Sequence, residues 1–566
     1  MSDDQGSSWK PLAFEGFSGL NTEAARPAIK DDEMAWCDGF MPVGPSTLRT
    51  IPGHGPAVFT AIGGPTVVCF GFGQILAQPM MATVLSDGSV YRTMLGLDTG
   101  VQVGPPGTIT SPSIQNVGFS QWGAELMIIV ANQANGYWQL HTTGLYGAGT
   151  LAPGAAVTNG GSGYTHATAS VSGGSGSGAS FEVFVLNGSV SAIAVLSPGS
   201  GYLASDSTPT LTISGDGTGA TGTVALMPFG INGTCAEVYQ SRVWIANQAN
   251  VIASAPETPT DFAISSGAVS FTSNDSFLRY AYTKLVQTNG FLYLVGDSSV
   301  NYISGVSTSG SPPETSFTNQ NADPEVGSPF SASVTTLGSN IAMANPSGVY
   351  VSYGGRVTKI SDALNGVWIT VPNFGGMQLS AGKALVYGKK CFVILVPVID
   401  SFSGLQVNKL FMWDEKRWWS TQQDISLTFI ASLEQNSNFS TYGTDGISIY
   451  PLFQSSSSGF SKTVQSKLFS SPGGFINEKS SNRVWVLGSY GSTVSPNLTV
   501  NVDNESSTQP ITLAPGTPST NGSLYVSPPT ATGQAGTLLG MTITTNAADF
   551  TLISAAIDSV LVGFRG

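Results

Sequence analysis

Charge is scarce in this chain. Asp, Glu, Lys and Arg make up 10% of its 566 residues, against about 25% in an ordinary globular domain. Only 21 residues are Lys or Arg, against 34 Asp and Glu, so the net charge is −13 and the sequence pI is about 4.6. A firm grip on nucleic acid needs clustered basic side chains, and the few here are scattered. An acidic surface can still surround DNA without holding it, because like charges repel. Histidine is scarcer still. His54, His141 and His166 lie far apart, with no HExxH or CxxC pattern beside them, so no metal centre or catalytic triad is expected and each reads as a loop or surface residue. The four cysteines, Cys37, Cys69, Cys235 and Cys391, show no paired spacing. That excludes a zinc or disulfide framework and leaves buried, reduced thiols in a chain folded in the cytoplasm. The longest apolar stretch, "VVCFGFGQILAQPMMATVL", is broken by Gly, Gln and Pro and runs into a "DG" turn. It reads as two strands rather than a membrane span. The opening "MSDDQGSSWK" has no positive or apolar region, so no signal peptide is expected.

What is present is strand-forming. Hydrophobic residues make up 41%, too many for the low-hydrophobicity, high-charge class of disordered chains. They fall in short β-branched and aromatic runs separated by Gly, Pro, Asn and Asp, which predicts an all-β chain. One phrase occurs twice: "VANQAN" at 130–135 and "IANQAN" at 245–250, 115 residues apart. Between the copies, residues 152–228 are Gly-rich and almost uncharged, and they carry their own echo, "GSGYT" at 161–165 and "GSGYL" at 199–203. This reads as a small β module inserted in a loop. Removing its 77 residues leaves 38 between the copies, close to the ~40–50-residue period of a propeller blade.

The same pattern, a hydrophobic strand, a polar turn and a second strand bearing an aromatic, recurs along the chain. Its anchors are Val84, Ala131, Ala246, Val295, Ala344, Val396 and Tyr442, spaced by 47, 115, 49, 49, 52 and 46 residues. A lone hairpin cannot bury its apolar face, whereas stacked blades can. The expected fold is therefore an all-β β-propeller of about seven hairpin repeats, over residues 61–456. Residues 1–60 read as an extended arm, with one helical turn over "IKDDEMAW". After a linker at "SSSSGFSK", residues 457–566 read as a β-sandwich, and the final "FTLISAAIDSVLVGF" reads as strand.

No catalytic, cofactor-binding or metal-binding residue is expected. Asp31, Asp32 and Glu33 are adjacent, so on a helix they would face different ways and make a poor acid–nucleophile pair. Asp414 and Glu415 sit in a hairpin turn, where turn chemistry accounts for them. "SDGS" and "GDGTG" lack the rest of a calcium loop, and "GGSGSGAS" lacks the Lys-Ser/Thr of a phosphate loop. Trp413, Trp418 and Trp419 could form a sugar-stacking platform, but core packing between blades is the commoner fate. "WD" at 413–414 lacks the Gly-His companion of a WD40 blade.

Three motifs carry a resemblance: Phe17, Gly19, Leu20, Asn21 and Thr22; Ile29, Asp31, Asp32 and Glu33; and Leu48, Arg49, Pro52 and Gly53. Together with the "LFMWDEKRWWS" hairpin, the Gly-rich module and the closing "LTVNVD…DFTLISAAIDSVLVGF", they resemble the tail nozzle proteins of short-tailed bacteriophages, also called tail tubular protein B. In that group Asn often stands where this chain has Asp38 or Gly39, and "RPG" where it has "IPG". The resemblance implies a non-enzymatic virion structural protein without cofactors, assembled in the host cytoplasm. It implies a homo-oligomeric ring, a hexamer, at the distal end of the tail. Implied partners are an adaptor ring, tail fibres or a plug protein, and genomic DNA that passes without specific binding; no membrane insertion is implied. The alternative is a glycan-binding or glycan-cleaving tail protein acting on the host surface. A secreted adhesin is disfavoured by the expected absence of an export signal.

Overall fold

The computed structural model describes residues 10–207, 209–368, 379–400, 404–435, 438–454, 460–471, 474–490, 497–503, 505–506, 511–512, 524–526, 530–531 and 534–564. Most of the opening decapeptide and the Ser-rich start of the expected linker lie outside them.

The chain is a seven-bladed β-propeller. Blade 1 is the meander Val67–Ile75, Gln78–Leu85, Val90–Met94 and Val101–Gly104. Blade 2 runs Val117–Trp122, Leu126–Ala131, Tyr137–His141 and Gly144–Gly147, and blade 3 runs Cys235–Val238, Val243–Asn247, Asn250–Ala253 and Val269–Thr272. Blade 4 is Tyr282–Thr288, Phe291–Gly296, Val300–Ser309 and Glu314–Asp323; blade 5 is Thr335–Leu337, Asn340–Asn345, Gly348–Ser352 and Val357–Lys359. Blade 6 is Ser380–Val386, Lys389–Ile399, Gln406–Trp413 and Trp418–Thr421. In blade 7, Phe429–Gln435, Asn438–Thr444 and Ser448–Pro451 are completed by Phe59–Thr60, which arrives from before blade 1. The first strands of consecutive blades pack side by side, and that of blade 7 packs on that of blade 1, so the ring is closed.

The seven sequence anchors all fall in the second strands of their blades. The two copies of the repeated phrase occupy matching places in blades 2 and 3 and touch, with Asn247 Nδ2 3.5 Å from Asn132 Oδ1. Apolar layers fill the gaps between blades. One layer holds Ile129 of blade 2, Met81 of blade 1, Phe429 of blade 7 and Phe59 of the closing strand; another holds Trp244 and Leu294 of blades 3 and 4. Each such buried side chain contributes about 1.5–3 kcal/mol relative to exposure. First strands crowd as they near the axis, and glycine relieves the crowding: a Cβ on Gly118 of blade 2 would lie 2.7 Å from the Cys235 backbone of blade 3.

The expected boundary at 60/61 assigns the closing strand to the arm, whereas Phe59–Thr60 belongs to blade 7. The helical turn expected over "IKDDEMAW" is also replaced. Glu33–Asp38 is a strand that pairs antiparallel with Lys462–Ser466 and touches blade 6 in parallel at Asp38↔Ser420. Met34, Trp36 and Cys37 are all buried, and a place between two neighbouring strands of one continuous sheet meets that need better than one isolated helical turn. The arm thus enters the closing two-sheet body. Lys10–Phe14 pairs with Phe550–Phe564, and Leu48–Thr50 adds to the same sheet. The opposing sheet holds Lys462–Ser466, Leu539–Thr545 and Asn497–Val502, and the two share a core with Phe14, Phe40, Val486, Met541 and Ile557.

The arm is locked to the propeller where Thr22 donates its N–H to the Ala363 carbonyl at 2.7 Å and Gly366 lies against the Thr22 carbonyl oxygen. A Cβ at 366 would overlap that oxygen. Gly366→Ala is expected to cost about 1–3 kcal/mol and to speed proteolytic cutting of the arm, read by thermal melting and limited trypsin digestion.

The inserted module is six strands, running across the sheet from Ala167–Ser172 through Thr210–Gly215, Thr218–Leu226, Leu151–Ser162 and Ser189–Ser200 to Ser177–Leu186. Its halves are related by a pseudo-two-fold that exchanges Leu151–Ser162 with Ser189–Ser200. The echoed tyrosines mark it: Tyr164 packs on Gly217 and Tyr202 on Gly176. Beside each, one carboxylate ties the turn together. Asp216 accepts from Thr165 N–H at 2.9 Å, and Asp206 accepts from Leu203 N–H at 2.8 Å and Ser175 N–H at 2.9 Å.

Candidate functional site: the propeller axis

All seven first strands contribute to an axial cavity of about 290 Å³. At ~30 Å³ per molecule that is room for roughly ten waters. Phe70, Phe72, Phe119 and Phe429 are among its lining residues. Its charged lining is Glu237 of blade 3, Lys284 of blade 4, Lys383 of blade 6 and Glu434 of blade 7. Each stands in a strand that is otherwise mostly apolar, such as "YTKLV" or "SAGKALV".

Lys383 is engaged. Its Nζ donates to Glu434 Oε2 at 2.6 Å and to Thr336 Oγ1 at 2.8 Å, and sits 4.9 Å from the Phe439 ring centre. Glu237 Oε1 accepts from Ser120 Oγ at 3.3 Å and from Val238 N–H at 3.0 Å. Its side chain touches the water-sized space of the cavity yet is ringed on every side by blades. That burial pushes its carboxyl up to about 7, against the lowering effects of the Val238 N–H and Lys284. A carboxyl whose folded value is raised makes the folded state hold the extra proton. The stabilisation is therefore complete below about pH 4.5 and is lost as pH rises through about 7. Glu237→Gln is expected to flatten that decline and to gain on the order of 2 kcal/mol over the native chain at pH 8, as read from urea unfolding at pH 5 and pH 8.

The residues behind the resemblance are elsewhere, and most meet at one joint between propeller, arm and two-sheet body. Phe17 is buried and edge-on to Phe14 at 5.1 Å. Gly19 has φ +133° and its Cα faces Arg417 of blade 6, where a side chain would be strained. Leu20 packs with blades 5 and 6. Asn21 donates to Glu33 Oε2 at 2.9 Å and accepts from Glu23 N–H at 3.1 Å. Asp31 pairs with Lys467 at 2.9 Å. Leu48 is buried, and Arg49 reaches Asp549 at 3.0 Å while lying 4.2 Å over the Tyr387 ring. The Pro52 carbonyl accepts from Gln423 at 2.8 Å, and that of Gly53 accepts from Gln454 N–H at 3.0 Å.

The three histidines remain apart: His54 against Tyr450, His141 beside Thr143, and His166 in the inserted module 3.6 Å from Asp216. Among the described residues, no three His, Cys, Asp or Glu side chains are placed to hold a metal ion. All four cysteines are buried and unbridged. Trp413 and Trp418 stack at 6.1 Å inside the layer between blades 5 and 6, and Trp419 faces the two-sheet core, so none offers a face to a sugar. No described helix is long and apolar enough to cross a membrane.

No protein-family model and no curated protein matches the chain. Solved structures that resemble it include BBS1N in complex with ARL6DN, at TM-score 0.33 and 8% identity over 74% of this chain and 97% of that one. YCF48 bound to D1 peptide matches at TM-score 0.33 and 9% identity, over 71% and 97%. A Trypanosoma rangeli sialidase matches at 0.27 and 11%, over 98% and 96%. Likenesses this distant say nothing of this chain's activity.

The axial charges were not found from sequence. The available signal was a lone Lys or Glu interrupting the first strand of a blade, which becomes visible only once the blades are in register.

Proposed function

We propose that this chain is a non-enzymatic virion structural protein, one subunit of a ring-shaped tail nozzle at the distal end of a short phage tail. The observation that carries the reading is the joint. The residues that resemble the nozzle family, from Phe17 to Gly53, are spent on fixing the propeller to the arm and the two-sheet body. Such a joint suits a subunit that must keep its shape while a pressurised genome passes. The axial cavity also constrains the reading. With space for roughly ten waters inside a ring of seven packed first strands, it is too small to pass nucleic acid. Any conduit must therefore lie between copies, as in a hexameric ring. The deficit of Lys and Arg suits a lumen that repels phosphate. The adaptor ring, fibres or a plug protein would contact the outer faces.

Gold labelling of the inserted module, residues 152–228, on purified particles tests this. Label at the tail tip is the expected result; label on the capsid, or none, contradicts it. The glycan reading has one feature in its favour, the Glu237 carboxyl held near neutrality in the cavity. Purified protein added to host cell-wall polymer is expected to release no sugar, and release that Glu237→Gln abolishes would reverse the choice.

A further inference from the structure

Lys409, on the third strand of blade 6, is 1% exposed along its side chain. Its Nζ contacts Asp38 Oδ2 and lies 3.1 Å from Asp400 Oδ1; the Asp38 and Asp400 side chains are 9% and 11% exposed. The Trp36 ring stands 5.1 Å from the same Nζ. The other Asp38 oxygen accepts from Ser420 Oγ at 3.4 Å, and Ser420 also donates to the Cys37 carbonyl at 2.8 Å. The carboxyl thus has one oxygen beside the Ser420 hydroxyl and the other on the amine nitrogen. Asp38 ends the arm strand, Lys409 belongs to the propeller, and 371 residues separate them.

We propose that Lys409 and Asp38 are a site of intramolecular amide formation, a covalent brace between arm and blade 6, with Asp400 as the proton-transfer group. One proton passes from the Nζ ammonium to the Asp38 carboxylate, leaving a neutral amine whose lone pair attacks Asp38 Cγ, and the C–N bond forms. Asp400 accepts a proton from Nζ and delivers it to the departing oxygen, the C–O bond breaks, and water leaves. One ammonium and one carboxylate become one amide and one water; charge balances, and no oxidant, reductant or co-reactant is needed.

Two features favour this over a lasting ion pair. Two carboxylates flank one ammonium in a largely buried place, and each buried charge is costly. Condensation removes two of the three charges. Burial also favours the neutral acid at Asp38, against the opposing pull of Lys409, and a protonated carboxyl is the form that loses water. The nearby Lys462 does not compete, since it sits 4.0 Å from the Phe460 ring and donates to the Phe460 carbonyl. The brace does not depend on the nozzle reading.

Intact-mass measurement of the denatured full chain tests it. The expected mass is that of the sequence less one water, with a branched peptide joining the segments around Asp38 and Lys409 after digestion. Asp38→Asn is expected to expel ammonia instead, changing the deficit from one water to one ammonia. Asp400→Ala is expected to restore the full sequence mass. A native chain at full sequence mass, with Asp38 and Lys409 in separate linear peptides, overturns the proposal whether or not the variants fold.

Discussion

Phe59→Ala is expected to destabilise the protein by about 3–5 kcal/mol, although Phe59 lies outside every hairpin of the repeat. The side chain is 3% exposed, sits edge-on to Tyr91 of blade 1 at 5.3 Å, and belongs to the apolar layer shared by blades 7, 1 and 2. Its strand donates from Val58 and Ala61 N–H to the Ile449 and Ile447 carbonyls of blade 7, at 2.8 and 2.9 Å. Truncation removes the transfer energy of the ring and leaves a cavity where the closing strand staples the two ends of the propeller. Chemical unfolding gives the magnitude. Hydrogen exchange gives the location: protection should fall first in Ser448–Pro451 and Val90–Met94, the strands on either side of the closure. An open ring would instead lose protection evenly, or show no change there.

Trp418→Ala is expected to cost a similar amount, about 3–5 kcal/mol. The indole stacks on Trp413, meets the Phe392 ring edge at 6.4 Å, and donates its N–H to the Ile360 carbonyl of the segment after blade 5 at 2.8 Å. Removing it opens the layer between blades 5 and 6 and leaves that carbonyl without its donor, a further penalty of about 1–3 kcal/mol where no water can enter. The outcome separates two roles for this tryptophan cluster. A sugar-stacking platform would lose glycan binding while the melting temperature held; a packing element loses the melting temperature itself.

The sequence made the blades legible because most second strands are buried apolar runs ending in a polar turn. That local pattern survives in a single chain, and it placed all seven anchors, from Val84 to Tyr442, in equivalent strands. The repeated Asn-Gln-Ala-Asn phrase marked neighbouring blades, and removing 77 residues exposed their true spacing. What stayed hidden depends on distant partners. Phe59–Thr60 is too short to show a period, and its identity as a strand exists only against Ser448 and Ile449. Glu33–Asp38 follows an acidic run that suggests a helix start, but pairing with Lys462–Ser466 and burial of Met34, Trp36 and Cys37 override that local signal. Glu237, Lys284, Lys383 and Glu434 come from four blades spread over nearly 200 residues. Only the closed ring brings them to one axis, and only the surrounding blades perturb Glu237.

Electron cryomicroscopy of the assembled protein tests most directly whether the conduit runs between copies rather than through each one. The narrow axis predicts seven-spoked discs, each too tight at its own centre to pass a duplex, arranged around one shared, wider lumen. A duplex-wide channel along the axis of an individual disc, or discs sharing no lumen at all, would contradict it.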